Sequence, residues 1–285
     1  MKNNLKEGTN CDRYHESSKI NPNRSTYCPY FGVMGMRSMD FATDYGPKIW
    51  GPYADGGFAE YLKAPAKNLI PLPENISFET AARVLEMGIG YRACLKAQIM
   101  PGDTVIVDAA TGNSGSCALK AALLFNPAKV IAVGRSQKKL EMVKSWAPDI
   151  IETISSAKQN VYEQIMEITK RRGADRLIDY SPPGSGRIFE DCIRALRTCG
   201  HAVIVGTARE PLQLMFRHFM NTGITVTGCR SCPRSDLAEM IKLTSEGKLD
   251  WSGLITHRFP ISRANEMFET LDKRIGDPMW VLGIP

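Results

Sequence analysis

The stretch Val105-Ile106-Val107-Asp108-Ala109-Ala110-Thr111-Gly112-Asn113-Ser114-Gly115 constrains this chain more than any other. It starts as an apolar, β-branched run of the kind found in buried strands. It ends by opening a helical pattern over residues 114–125. A short glycine-containing loop between the two puts a helix N terminus, with its unpaired amide hydrogens and positive dipole end, at the carboxyl edge of a sheet. Dinucleotide-binding βαβ units hold a pyrophosphate in this way. The candidate contacts are Thr111, Gly112, Asn113, Ser114 and Gly115. Gly112 supplies backbone freedom, Gly115 lets the helix approach the strand closely, and Ser114 adds a hydroxyl. The full fingerprint has three glycines, and Ala109 or Ala110 stands near the first place. The glycines alone therefore also fit a merely tight strand-to-helix turn. No lysine of the P-loop kind follows the loop.

The next strand, 130–133, ends at Gly134-Arg135-Ser136, roughly 20 residues beyond the loop. Sites for an unphosphorylated dinucleotide usually place an acid there to grip the ribose hydroxyls. Gly134 removes that carboxylate and its repulsion of a 2′-phosphate. Arg135 can pair with such a phosphate in a charge-assisted fork, and Ser136 can donate another bond. The expected cofactor is NADP(H) in preference to NAD(H). The bland alternative is a solvated arginine at a strand end.

Around this unit the hydrophobic period alternates. Strands are expected at 104–108, 130–133, 176–179, 201–205 and 224–227, and helices at 114–125, 137–146, 161–169 and 188–196. Continuous apolar strands separated by helices imply an α/β fold with a mostly parallel sheet covered on both faces. Val205-Gly206-Thr207 and Gly228-Cys229 end two of these strands, where a cofactor crevice lies or where strand ends simply pack. Asp179-Tyr180-Ser181 ends a third. Earlier in the chain, 56–62 reads as a turn into a short strand and 68–73 as a second extended piece. Ser77 caps a helix that carries Val84, Leu85 and Met87, and a second helical run follows Gly88 and Gly90. Helices at 235–246 and 264–271 and a strand at 279–282 complete the pattern. Residues 1–52 are irregular, rich in Asn, Ser, Pro, Gly and Tyr.

The formal charge of +6, from 36 basic and 30 acidic residues, is mild for 285 residues. Its tightest cluster, Lys170-Arg171-Arg172, suits a helix C terminus, so nucleic acid is not an expected partner. No apolar run approaches the ~20 residues that span a bilayer, and Met1 to Asn10 has no apolar core of a secretory signal. The expected compartment is the cytoplasm, where the eight cysteines are thiols in place of a disulfide framework.

Several segments, in order, resemble the zinc-type medium-chain alcohol dehydrogenase superfamily. They are Asp55-Gly56-Gly57-Phe58-Ala59-Glu60-Tyr61, Pro101-Gly102-Asp103-Thr104-Val105, Leu196-Arg197-Thr198-Cys199-Gly200-His201 and Leu254-Ile255-Thr256-His257-Arg258-Phe259-Pro260. The resemblance implies a Rossmann cofactor-binding domain at 89–233. It also implies a partial GroES-like, mostly β catalytic domain made by both chain ends, 1–88 and 234–285. It implies hydride transfer between a nicotinamide and a small alcohol or carbonyl substrate, with zinc as Lewis acid, and a homo-oligomer paired through edge strands, 224–227 being the candidate.

The family's first zinc-ligand cysteine and its Gly-His-Glu segment have no counterpart in the sequence, as though the early part of the catalytic domain were missing. The four histidines, His15, His201, His218 and His257, lie outside that motif. Glu86 falls near a further family ligand and is the candidate metal residue. It can instead pair with Arg83 or Arg92, or face solvent. Cys11 and Cys28 are too few for the family's four-cysteine structural zinc lobe, whose loss is the expectation. No catalytic residue is singled out. Two other functions stay open: a truncated dinucleotide-binding protein without catalysis, and a zinc-free quinone or enone reductase.

Overall fold

The computed structural model describes residues 56–285. The irregular stretch at 1–52, with Cys11, His15 and Cys28, and also Asp55, lies outside the described residues.

Six parallel strands form the centre: β1 (Thr104–Asp108), β2 (Lys129–Gly134), β3 (Ile151–Ser155), β4 (Ala174–Asp179), β5 (Leu196–Ile204) and β6 (Thr225–Gly228). Their spatial order is β3-β2-β1-β4-β5-β6. That is the doubly wound Rossmann arrangement, in which the order reverses beside β1 and opens a crevice at the strands' carboxyl ends. Alternate side chains feed two cores. Val105, Val107, Val130, Ala132, Ile178 and Val203 point into one, and Ile106, Ile131, Val133, Ile154, Leu177 and Ala202 into the other. This two-faced burial explains why the strands lack a polar alternation.

The first core is covered by α2 (Val84–Ala97), α3 (Asn113–Leu123), α4 (Gln137–Lys144) and α8 (Arg234–Ser245). The second is covered by α5 (Val161–Ile168) and α6 (Gly186–Arg194). A short α1 (Phe78–Ala81) precedes α2, with the Ser77 hydroxyl accepting the Thr80 amide at 3.2 Å, as the sequence indicates. The expected helical break at Gly88 and Gly90 is not found, because α2 runs through both. A Cβ at Gly90 would lie 2.7 Å from the Ala118 backbone, and one at Gly88 would lie 2.6 Å from Leu237. These glycines are contact points that let α3 and α8 approach α2. The chain breaks instead before Arg83, the N-cap of α2. Arg92 on α2 and Asp236 on α8 form a buried bidentate pair, Nε–Oδ2 and Nη2–Oδ1 both at 2.5 Å.

Three helices or strands lack an expectation: β3, α7 (Phe216–Thr222) and the strand Ile255–Pro260. The expected strand at 56–62 is a series of bends with Phe58, Tyr61 and Leu62 exposed. No described strand runs beside it to complete a ladder. The piece at 68–73 likewise is no strand; a 3-10 turn, Ala66–Asn68, leads into irregular backbone. At the C-terminal end β7 (Ile255–Pro260) pairs in parallel with β8 (Trp280–Ile284) around the crossover helix α9 (Ala264–Lys273). Trp280 of β8 stacks on Trp251 at 6.2 Å.

At the helix C terminus near Lys170, Arg171 pairs with Glu163 and Arg172 with Asp175, which accounts for two charges of the basic cluster. Among the described cysteines only Cys199 is exposed, and all six are free. Among the described residues no helix is long and apolar enough to cross a membrane.

Candidate functional site

A cavity of about 1210 Å³ opens at the carboxyl edge of the sheet where the strand order reverses. All thirteen candidate cofactor residues lie in its wall: Thr111 to Gly115, Gly134 to Ser136, Val205 to Thr207, Gly228 and Cys229. Their convergence follows from parallel strands of matched register, which bring every βα turn to one edge.

The loop between β1 and α3 is held from three sides. Gly115 sits so close to the preceding turn that a Cβ would lie 2.2 Å from the Ala109 carbonyl oxygen. The expected role of Gly115 is thus seen directly. Gly112 takes an ordinary extended conformation, φ −83°. The left-handed residue is Ala109, at φ +52°, a correction to the expectation that placed the unusual backbone at Gly112. Trp280 Nε1 donates to the Asn113 carbonyl at 3.1 Å, tying β8 to the start of α3. The Asn113 side chain accepts from Arg83, whose guanidinium lies over the Trp280 ring. The Asn113 side-chain oxygen is therefore engaged with α2, and it is the backbone of the first turn that borders the cavity. Gly112 caps α3 with no side chain, leaving the helix end's positive field unneutralised by any acid in its first turn.

At the β2 end, Arg135 is exposed and makes no hydrogen bond or ion pair among the described residues. Ser136 caps α4 by accepting the Lys139 amide at 3.3 Å, and its hydroxyl donates to Asp277 Oδ2 at 2.6 Å. Lys139 Nζ bonds Asp277 Oδ1 at 2.8 Å and the Pro278 carbonyl at 2.8 Å. Burial works against the Asp277 charge, but the bonds from Lys139 and Ser136 outweigh it and hold the carboxyl below its usual range. Lys139, Arg274 and Asp277 all line the cavity. The sequence reading missed them. Only the helical spacing of Lys139 from Ser136 could have pointed to one.

At the middle of the sheet, where β1 and β4 end, lies a buried acid pair. Asp108 and Asp179 are register partners on β1 and β4, 4% and 2% exposed. Asp108 accepts from the Ala109 amide and from the Ser181 hydroxyl, each at 2.6 Å. Burial, with the neighbouring Asp179 charge, pushes Asp108 up to about 7, against the pull of those bonds. Burial also raises Asp179, opposed by bonds from Ser181 and Gly206. Gly206 is required there, since a Cβ would meet the Ser181 backbone at 2.6 Å. Tyr180 lies in the cavity wall with its hydroxyl buried and without a partner among the described residues. Burial holds it well above the ordinary phenol range.

Glu86 stands apart from this cavity and pairs with Arg83 at 3.4 Å, one of the alternatives left open by the sequence. Arg92 is taken by Asp236. Zinc sites use about three protein ligands. Among the described residues no three His, Cys, Asp or Glu side chains come together, so these residues do not by themselves fit a zinc centre. His257 on β7 is bonded to Thr256 at 2.9 Å and packs against Gly276, in keeping with a structural role.

Comparison with known proteins agrees with this architecture. The zinc-binding dehydrogenase family profile matches residues 115–246, from the first turn of α3 through α8. Over those residues the chain is similar to zinc-binding dehydrogenases. It is 27% identical to human sorbitol dehydrogenase over 226 residues, covering 79% of this chain and 62% of that protein. It is 28% identical to a probable zinc-binding alcohol dehydrogenase of Mycobacterium tuberculosis over 239 residues, covering 82% of this chain and 60% of the relative. The chain thus spans about three fifths of the length of these relatives. A solved NAD-dependent alcohol dehydrogenase superposes with a TM-score of 0.72 at 26% identity, covering 89% of this chain and 68% of that one.

Proposed function

We propose that this chain is a member of the zinc-type medium-chain alcohol dehydrogenase superfamily, that it binds NADP(H) in the crevice above β1, and that it serves hydride transfer between the nicotinamide and a small alcohol or carbonyl compound. The carrying observation is that the uncapped first turn of α3 and the unpaired Arg135 lie in the same cavity. In this reading the amides of Asn113, Ser114 and Gly115 take the pyrophosphate, and Arg135 takes the 2′-phosphate. Val205, Gly206, Gly228 and Cys229 flank the nicotinamide end and exclude water from it. The bound nicotinamide supplies or accepts the hydride. The chain's own residues orient that ring and shield it. Domain limits at 89–233 for the cofactor-binding part, and pairing of two copies along the exposed edge of β6, belong to the same proposal.

One observation favours a second reading, dinucleotide binding without zinc chemistry. Glu86 is engaged with Arg83, and the described residues bring no ligand trio together. A metal at Glu86 would need that pair to open and further ligands from outside the described residues.

The test is titration of the full chain with NADPH and NADH, following tryptophan fluorescence, beside metal analysis and assays with alcohols and enones. NADPH should bind more tightly than NADH. Arg135→Ala should loosen NADPH roughly 10- to 100-fold, the worth of a hydrogen-bonded charge pair, and leave NADH within about twofold. Tighter binding of NADH than of NADPH would overturn the phosphate assignment. Bound zinc with alcohol turnover separates the first reading from the second.

A further inference from the structure

The segment between α9 and β8 carries a carboxylate into the very end of the crevice to which the cofactor's 2′-phosphate is assigned. Asp277 is held there by the two groups best suited to a phosphate, the Ser136 hydroxyl at 2.6 Å and the Lys139 ammonium at 2.8 Å. We infer that Asp277 is an internal stand-in for that phosphate, a latch that a 2′-phosphorylated dinucleotide displaces from Ser136 and Lys139 when it binds. The inference rests on the NADP(H) reading above and concerns how that selectivity is set.

Three features carry it. The donors match: a hydroxyl and an ammonium that satisfy two carboxylate oxygens satisfy two phosphate oxygens equally well, and a dianion gains more from the ammonium than a monoanion does. The surroundings hold more positive charge than Asp277 uses. Arg135 and Arg274 line the same cavity, and neither makes an ion pair among the described residues, so a second anionic group has cations waiting. The segment is also held in its conformation by the contacts it would exchange. Arg274, Gly276 and Asp277 take left-handed conformations at φ +54°, +71° and +59°. For the two residues with a Cβ, such a backbone persists only where surrounding contacts enforce it. The Asp277 bonds to Ser136 and Lys139 are such contacts, and the first joins residues 141 positions apart.

Release and capture are both exchanges of hydrogen bonds, with no covalent step. Ser136 keeps its capping bond to the Lys139 amide throughout, because that bond uses the oxygen as acceptor while the hydroxyl hydrogen changes partner. A cofactor lacking the 2′-phosphate has no group to replace the carboxylate and binds with the latch closed. Asp277 thereby opposes only the phosphorylated cofactor.

The experiment compares the full-length chain with Asp277→Asn, titrating both with NADPH and NADH at one ionic strength. Asparagine tolerates the left-handed backbone, and Asp277→Gly provides a second variant free of any conformational demand. Both should tighten NADPH by about tenfold, the loss of one competing charged hydrogen-bond partner, with NADH moving less than about twofold. Lys139→Met should loosen NADPH and cancel the gain from Asp277→Asn. Equal shifts for the two cofactors, or no shift, would overturn the latch and leave Asp277 as a structural tie. Weaker NADH binding in Asp277→Asn would overturn it by showing a carboxylate that serves the ribose hydroxyls. The NADP(H) assignment is read separately, from the wild-type ratio of the two dissociation constants. The latch is read from the change in that ratio.

Discussion

Replacing Asp108 by asparagine should flatten the pH dependence of stability, and the structure sets the size of the effect. Asp108 is 4% exposed, beside Asp179 across the β1–β4 ladder, and is pushed up to about 7 by burial and by that neighbouring charge. A carboxyl with a raised folded-state value binds more protons folded than unfolded between its two values. Stability is therefore highest at acid pH and falls as pH rises through that window, from the ordinary 3.8 to about 7. The full cost of ionising Asp108 in place is about 4 kcal/mol. Between pH 5 and pH 8 the wild-type chain should lose about 3 kcal/mol through this residue. The carboxamide introduced by Asp108→Asn keeps an acceptor for the Ala109 amide, gives up the acceptor for the Ser181 hydroxyl at a cost that does not vary with pH, and does not titrate. Urea unfolding at intervals from pH 5 to pH 8 should show the variant gaining on the wild type by that amount. In heat the gap corresponds to roughly 6–12 °C, at about 2–4 °C per kcal/mol for a chain of this size class. Parallel curves for the two proteins across this range would refute the raised folded-state value of Asp108.

Gly115→Ala should cost dinucleotide affinity and stability together, because its Cβ would lie 2.2 Å from the Ala109 carbonyl and α3 would have to back away. A loss of at least about tenfold in NADPH affinity by titration is expected if the first turn of α3 moves from the phosphates. Removing one partner of the buried Arg92–Asp236 pair, as in Asp236→Ala, should destabilise the chain by about 3–5 kcal/mol in urea, since the buried guanidinium loses its bidentate carboxylate. The double variant Arg92→Met with Asp236→Leu should recover much of that loss.

What could be foreseen from the sequence was local. The β1–α3 unit announces itself because an apolar run, a glycine turn and a helical period follow one another within a dozen residues or so, and each is fixed by nearest neighbours. All thirteen crevice residues were within reach for the same reason, since parallel strands deliver every turn to one edge. The helix through Gly88 and Gly90 was misjudged because a glycine's intrinsic helix penalty is local, whereas the close approach of Ala118 and Leu237 that calls for a glycine comes from other segments. Strand β3, Ile151-Glu152-Thr153-Ile154-Ser155, was hidden by its mixed polarity. Glu152 there serves Lys129 and Lys144, contacts set only when β2 and α4 are in place.

The β2 end shows the limit most clearly. Gly134 truly lacks a carboxylate in sequence, and an acid-free corner was the natural conclusion. Yet an acid stands there, because a turn near the far end of the chain brings Asp277 onto Ser136. Motif spacing records which groups a turn carries on its own strand and is silent about groups that arrive from elsewhere. A cofactor preference read from one βα turn is therefore a statement about half of the corner. Here the other half holds a carboxylate already paired with Lys139. A phosphate that displaces it from that lysine exchanges one charged hydrogen bond for another, so Asp277 sets the net preference together with Arg135.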